Sequence, residues 1–73
     1  MPRERVEFPM TGKIVSVNVT VGSEIREDDT LCVLESMKME NPIVAPVSGT
    51  IIELNVTAGQ TVDAGKTIAV IEY

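Results

Sequence analysis

The residues best placed to do chemistry lie in the middle of the chain, in Glu35-Ser-Met-Lys-Met-Glu40. Lys38 presents an amine between two methionines. A solvated lysine titrates near 10.4, so less than about 0.1% of it is neutral at pH 7. Such an amine needs an outside catalyst before it can attack anything. Glu35 and Glu40 are anions and offer no help in depressing its protonation. The chain holds no histidine and one cysteine, Cys32. It therefore lacks the usual general base and the commonest metal ligand, and it cannot close an internal disulfide. A lysine without an acid–base partner argues against catalysis, and on pattern alone Lys38 reads as one solvated lysine.

The same segment is an odd piece of backbone. It joins an apolar run, Leu31 to Glu35, to another, Pro42 to Pro46. A strand, a short polar break and a strand predict a hairpin with its tip near Met37-Lys38. Two-residue hairpin turns favour Asn-Gly or Asp-Gly because both central residues need φ > 0. Met and Lys there cost on the order of 1 kcal/mol or more each. A local choice that opposes its surroundings marks a functional site. The methionines either fold back onto the sheet or remain outside as adaptable contacts for another protein.

The elements that must hold this tip are announced by an internal repeat at an offset of 37 residues. Pro9, Gly12, Ile14, Asn18, Val19, Thr20 and Gly22 recur as Pro46, Gly49, Ile51, Asn55, Val56, Thr57 and Gly59. Thr30, Val33 and Glu35 recur as Thr67, Val70 and Glu72. Two copies of one unit, each too small to bury its own apolar face, predict a closed structure with a pseudo-twofold axis. Each unit reads as β. Val15, Val17, Val19 and Val21 alternate with Ser16, Asn18 and Thr20, and Ile52, Leu54 and Val56 repeat the pattern. Leu31 to Glu35 and Thr67 to Glu72 are apolar on both parities, as in strands covered on two faces. Gly12 and Gly49 are expected in matching turns. The prolines exclude long helices. The expected fold is all-β, a flattened barrel or sandwich of two four-stranded antiparallel sheets, with residues 1–73 as one domain. The terminal strands are expected to meet at the end opposite the tip.

Composition narrows the partners. A net charge of −5, no basic cluster and only Phe8 and Tyr73 as aromatics argue against nucleic acid. No apolar run approaches the roughly 20 residues of a membrane span, so no membrane partner is expected. Met-Pro-Arg-Glu-Arg5 is not followed by the apolar stretch of a signal peptide, and Cys32 is free. The expected setting is cytoplasmic. Cys32 reads as core packing, Asn18 and Asn55 as outward residues, Glu35 and Glu40 as solvated charges or contacts for a modifying enzyme, and Tyr73 as edge packing.

Glu35-Ser-Met-Lys-Met39 resembles the attachment signature of biotin carboxyl carrier domains, Glu-(Ala/Ser)-Met-Lys-Met. Pro9-Met-x-Gly12 before it and Ala45-Pro-x-Ser-Gly49 after it extend the resemblance to the biotinyl (biotin–lipoyl attachment) domain family over nearly the whole chain. The resemblance implies covalent biotin on Lys38, with Met37 and Met39 as flanks read by a biotin protein ligase that transfers biotin from biotinyl-adenylate. It implies a non-catalytic carrier that takes a carboxyl group between the biotin carboxylase and carboxyltransferase sites of a carboxylase, decarboxylase or transcarboxylase. Phe8 departs from the alanine common before Pro-Met, and the short Gly22–Thr30 segment has no room for the protruding loop of some acetyl-CoA carboxylase carriers. A lipoyl carrier is the competing reading, but those domains usually place Asp before the lysine and a small residue after it. A non-carrier hairpin-sandwich module, with an incidental lysine, is the other.

Overall fold

The computed structural model describes residues 1–73 and contains eight strands and no helix. They are β1 (Arg3–Glu7), β2 (Gly12–Val17), β3 (Glu24–Ile25), β4 (Thr30–Ser36), β5 (Met39–Val44), β6 (Gly49–Leu54), β7 (Thr61–Val62) and β8 (Thr67–Glu72). One four-stranded sheet has the order β1-β8-β6-β3, the other β5-β4-β2-β7, and every pairing is antiparallel. The all-β two-sheet architecture expected from the sequence is the one observed.

The repeat explains this order. Moving 37 positions along the chain carries β2 onto β6, β3 onto β7 and β4 onto β8, and carries β1 onto β5. One sheet therefore maps onto the other strand by strand. The backbone bonds map as well. Gly22 N–H donates to Ile51 O and Ile51 N–H to Ser23 O, while Gly59 N–H donates to Ile14 O and Ile14 N–H to Gln60 O, all at 2.7–2.9 Å. Each unit thus sends its shortest strand across to edge the other unit's sheet.

The core obeys the same axis. Its largest fully buried side chains fall into the pairs Ile14/Ile51, Leu31/Ile68 and Leu34/Ile71, and Cys32 sits where the other half has the equally buried Ala69. Burying each of these aliphatic side chains stabilises the fold by about 1.5–3 kcal/mol. Losing one of them would remove a large share of a net stability of about 5–15 kcal/mol. Phe8, the departure from alanine, is buried in this cluster opposite Ala45 in the repeat.

Bulges correct three expectations. The register slips between Ile14 and Ser16 on β2 and between Ile51 and Glu53 on β6, so Val15 and Ile52 are the extra residues. Ile14 and Ile51 point inward. Val15 and Val21, expected inside with Val17 and Val19, are 44% and 62% exposed, and the strand read as far as Val21 ends at Val17. The slips at Leu31 on β4 and Ile68 on β8 turn two consecutive residues inward, Leu31 with Cys32 and Ile68 with Ala69. That is why these strands are apolar on both parities. They are not covered on two faces, since Glu35 is exposed.

Gly12 and Gly49, expected in turns, instead open β2 and β6. A Cβ on Gly12 would collide with the Glu35 carbonyl oxygen and lie 3.0 Å from Leu34 Cδ1. One on Gly49 would collide with the Glu72 carbonyl oxygen and lie 2.8 Å from Ile71 Cγ2. These glycines let two strands close together, one pair on each side of the axis. Gly49→Ala is therefore expected to cost about 1–3 kcal/mol through overpacking. A thermal melt should show it as a fall of roughly 4–8 °C for each kcal/mol lost. An unchanged melting temperature would remove the close-approach argument.

Candidate functional site

Strands β4 and β5 form the hairpin. Ser36 faces Met39, Glu35 faces Glu40 and Leu34 faces Asn41, leaving Met37 and Lys38 alone at the turn. Met37 has φ +54° and Lys38 φ +64°. Positive φ at both central residues is the type I′ arrangement, whose twist matches that of the strands. The turn expected from sequence thus sits where it was expected, with the strain it implied. The only other non-glycine residue with positive φ is Asp28, whose counterpart in the repeat is Gly65 with φ +86°.

Lys38 is exposed, and its Nζ closes no ion pair. Met37 is 91% exposed and Met39 67% exposed, so neither folds back onto the sheet. Of the two readings of these side chains, the structure keeps the one that leaves them free to touch another molecule. Asn41 Nδ2 donates to Met39 O at 3.2 Å, which ties the first residue of β5 to the strand behind it. The base of the hairpin is held more firmly. Lys13 on β2 faces Glu35, and Ile14 faces the fully buried Leu34.

Sequence reasoning treats Glu35 and Glu40 separately, but a two-residue turn makes them cross-strand neighbours. Like charges directly opposite each other are unfavourable. The signal was available, because the register follows once the tip is located. Lys13 lies on the far side of Glu35 without closing an ion pair.

The hairpin tip lies away from the chain termini. Lys13 stands beside Glu35, and the chain then runs to Gly22, which bonds to Ile51. Its neighbour Thr50 pairs with Glu72, and Glu72 pairs with Arg3. The molecule measures 37 × 18 × 17 Å, and the tip and the paired terminal strands belong to different sheets. The axis carries the hairpin onto the β8–β1 pair.

Other candidate nucleophiles are absent from the tip. Cys32 is fully buried, and burial pushes its thiol pKa up, which keeps it protonated and inert. Asn18 and Asn55, expected as outward residues of a strand, are exposed but lie just past the ends of β2 and β6, and Tyr73 is 45% exposed.

The family model described as biotin-requiring enzyme matches residues 4–71. The chain is 50% identical over 42 residues to the methylmalonyl-CoA decarboxylase subunit gamma of Veillonella parvula, covering 58% of this chain and 33% of that one. It is 54% identical over 37 residues to the biotin carboxyl carrier protein of Streptococcus mutans, covering 51% of this chain and 28% of that one. Among solved structures, the Kluyveromyces lactis urea carboxylase superposes with a TM-score of 0.88 at 28% identity. That match covers 99% of this chain and 6% of the carboxylase. The chain thus spans a third or less of the length of each.

The strain at the turn can be measured. Met37→Asn with Lys38→Gly supplies the pair that a type I′ turn prefers. Relief of one positive-φ penalty is worth on the order of 1 kcal/mol, so the double variant is expected to melt about 4 °C or more above the parent. A melting temperature equal to the parent's would mean that the turn stores no strain.

Proposed function

The chain belongs to the biotin-requiring enzyme family, and we propose that it is a biotin carrier in which Lys38 holds the biotin. The observation that carries the reading is an exposed, unpaired amine at the crown of a strained two-residue turn. The donor fits the group. An amine free of ion pairs can be acylated without breaking any contact of the fold. Amide formation at Nζ releases two protons from the ammonium as the acyl group replaces them, with AMP leaving the biotinyl-adenylate, and the domain's net charge goes from −5 to −6. Bound biotin would supply a ring position that carries an activated carboxyl group.

The chain's own residues supply everything else. Positive φ at Met37 and Lys38 fixes the direction in which the lysine leaves the hairpin. Met37 and Met39 offer the apolar flanks that a biotin protein ligase would read. With no histidine and a buried cysteine, the domain supplies placement and no acid–base chemistry. The lysine arm extended by biotin reaches on the order of 15 Å, about ten single bonds. That suffices to enter a cleft and is short for bridging two distant sites, so the domain itself moves. Its partners are then a biotin carboxylase and a carboxyltransferase, as domains or subunits of one enzyme. The names of its relatives support this placement.

Two variants test the reading by intact mass after incubation with ligase, biotin and ATP. Lys38→Ala is expected to take no biotin while keeping stability within about 0.5 kcal/mol, as for other surface substitutions. Retained biotin would place the attachment elsewhere. The exchange Met37→Lys with Lys38→Met keeps composition and charge but moves the amine by one residue of the turn. A displacement of about 1 Å can cost 10²-fold in rate. Near-complete loss of modification is expected, and a rate within about threefold of the parent would show that the turn does not aim the amine.

A further inference from the structure

The pseudo-twofold axis supplies an internal comparison. A residue that serves only the fold has reason to recur on both sides. On the outer faces of the sheets Val15 and Ile52, and Val33 and Val70, are such pairs. The edge strands break the rule. Strand β1 turns Arg3, Arg5 and Glu7 outward. At the same three places β5 turns Glu40, Pro42 and Val44 outward. The inward side of both strands stays apolar, with Val6 and Ile43 buried. An edge charged at all three places on one half thus keeps one charge, Glu40, and is apolar at the other two on the half that carries Lys38, with Val44 41% exposed.

Pro42 says how a partner would meet this edge. In a two-residue hairpin Ser36 and Met39 form a hydrogen-bonded pair, and bonded and non-bonded pairs then alternate. Pro42, opposite Val33, falls on a non-bonded pair, so its nitrogen faces the free edge. Proline there loses no ladder bond and blocks the addition of a further strand. A partner on this edge engages side chains.

Reach identifies the partner. Lysine Nζ stands roughly 6 Å from its Cα. An enzyme that acts on the amine must bring its body against the strands beside the turn. One that acts at the end of a 15 Å arm need not. At about 3.3 Å per residue the strip from Glu40 to Val44 lies roughly 7–20 Å from Lys38. A standard interface of about 800 Å² per partner extends roughly 16 Å from its centre, so one centred on Lys38 takes in Glu40 and Pro42, and one centred nearer Glu40 also takes in Val44. Glu40, unpaired and facing Glu35, adds a negative charge that calls for a cation. A concavity of about 380 Å³ beside it, walled by Val15 and Lys13, gives such a side chain room.

We propose that the outward strip Glu40, Pro42 and Val44 is the seat of the biotin-attaching ligase, which meets it with an apolar surface and a basic side chain. This rests on the reading of Lys38 as the biotin-bearing residue. The test gives β5 the outward residues of β1, as Glu40→Arg, Pro42→Arg and Val44→Glu, and gives β1 those of β5, as Arg3→Glu, Arg5→Pro and Glu7→Val. Biotin incorporation by the cognate ligase is followed by intact mass over a range of carrier concentrations. The β5 variant is expected to lose at least tenfold in kcat/KM, carried by KM, with kcat within threefold. The β1 variant is expected to stay within threefold of the parent throughout. If the β5 exchange unfolds the domain, Pro42→Ala with Val44→Ser replaces it, with a threefold or greater rise in KM expected. Parental KM in a folded β5 variant overturns the proposal. So does normal biotinylation followed by defective carboxyl transfer, which would assign the strip to the carboxyltransferase. A parent chain that takes no biotin at all sinks the earlier reading instead, and is recognised separately.

Discussion

The fold depends on the exchange of short strands at Ile14 and Ile51. Each of these residues buries its side chain and holds, through two backbone hydrogen bonds, the segment sent over by the other half. Neither half has enough strands or apolar surface to close alone. A domain of this size buries only roughly 60% of its unfolded surface. Reciprocal edging makes one core from two insufficient ones. The bulges at Val15 and Ile52 follow from the same need. They let a strand that starts inside one sheet change phase and leave toward the other.

Symmetry also shows where the structure departs from its own interest. The hairpin joins the two halves through a tight turn at Met37 and Lys38. There the chain accepts two positive-φ side chains, two exposed methionines and a facing pair of carboxylates. Each is unfavourable alone and none relieves another. Such a concentration in an otherwise self-consistent molecule is the mark of a site kept for what it meets.

Much of this was legible in the sequence. The repeat dictated two sheets, and the polar break between Leu31–Glu35 and Pro42–Pro46 placed the tip. What misled was periodicity read without bulges. A strand with one extra residue switches phase, so Val15 looked as inward as Val17, and Leu31 with Cys32 looked covered on both sides. The bulges have no residue signature of their own here. They become readable only from the pairing, where two residues face one. Gly12 and Gly49 misled differently. Their neighbours suggested turns, whereas their reason is the carbonyl of a strand far away in sequence, Glu35 in one case and Glu72 in the other. The outward strip of β5 was invisible for a third reason, since its meaning comes from comparison with β1 in space.

The two tasks of such a carrier make opposite demands on the tip. Acylation of an amine on a short arm rewards a turn that cannot wander, because reacting atoms must meet at near-attack distance. Delivery on a long arm rewards freedom, because the sites visited are separate. The structure meets both by placing them on different parts. Rigidity resides in backbone, with a two-residue turn on a hairpin rooted in the buried Leu34 and Ile43. Freedom resides in the lysine side chain, which no ion pair holds. Looseness in the turn would cost the first task and add little to the second, since the arm already supplies it. On the proposed reading of Lys38, that is the physical reason for a strained turn where a flexible loop would have been easier to build.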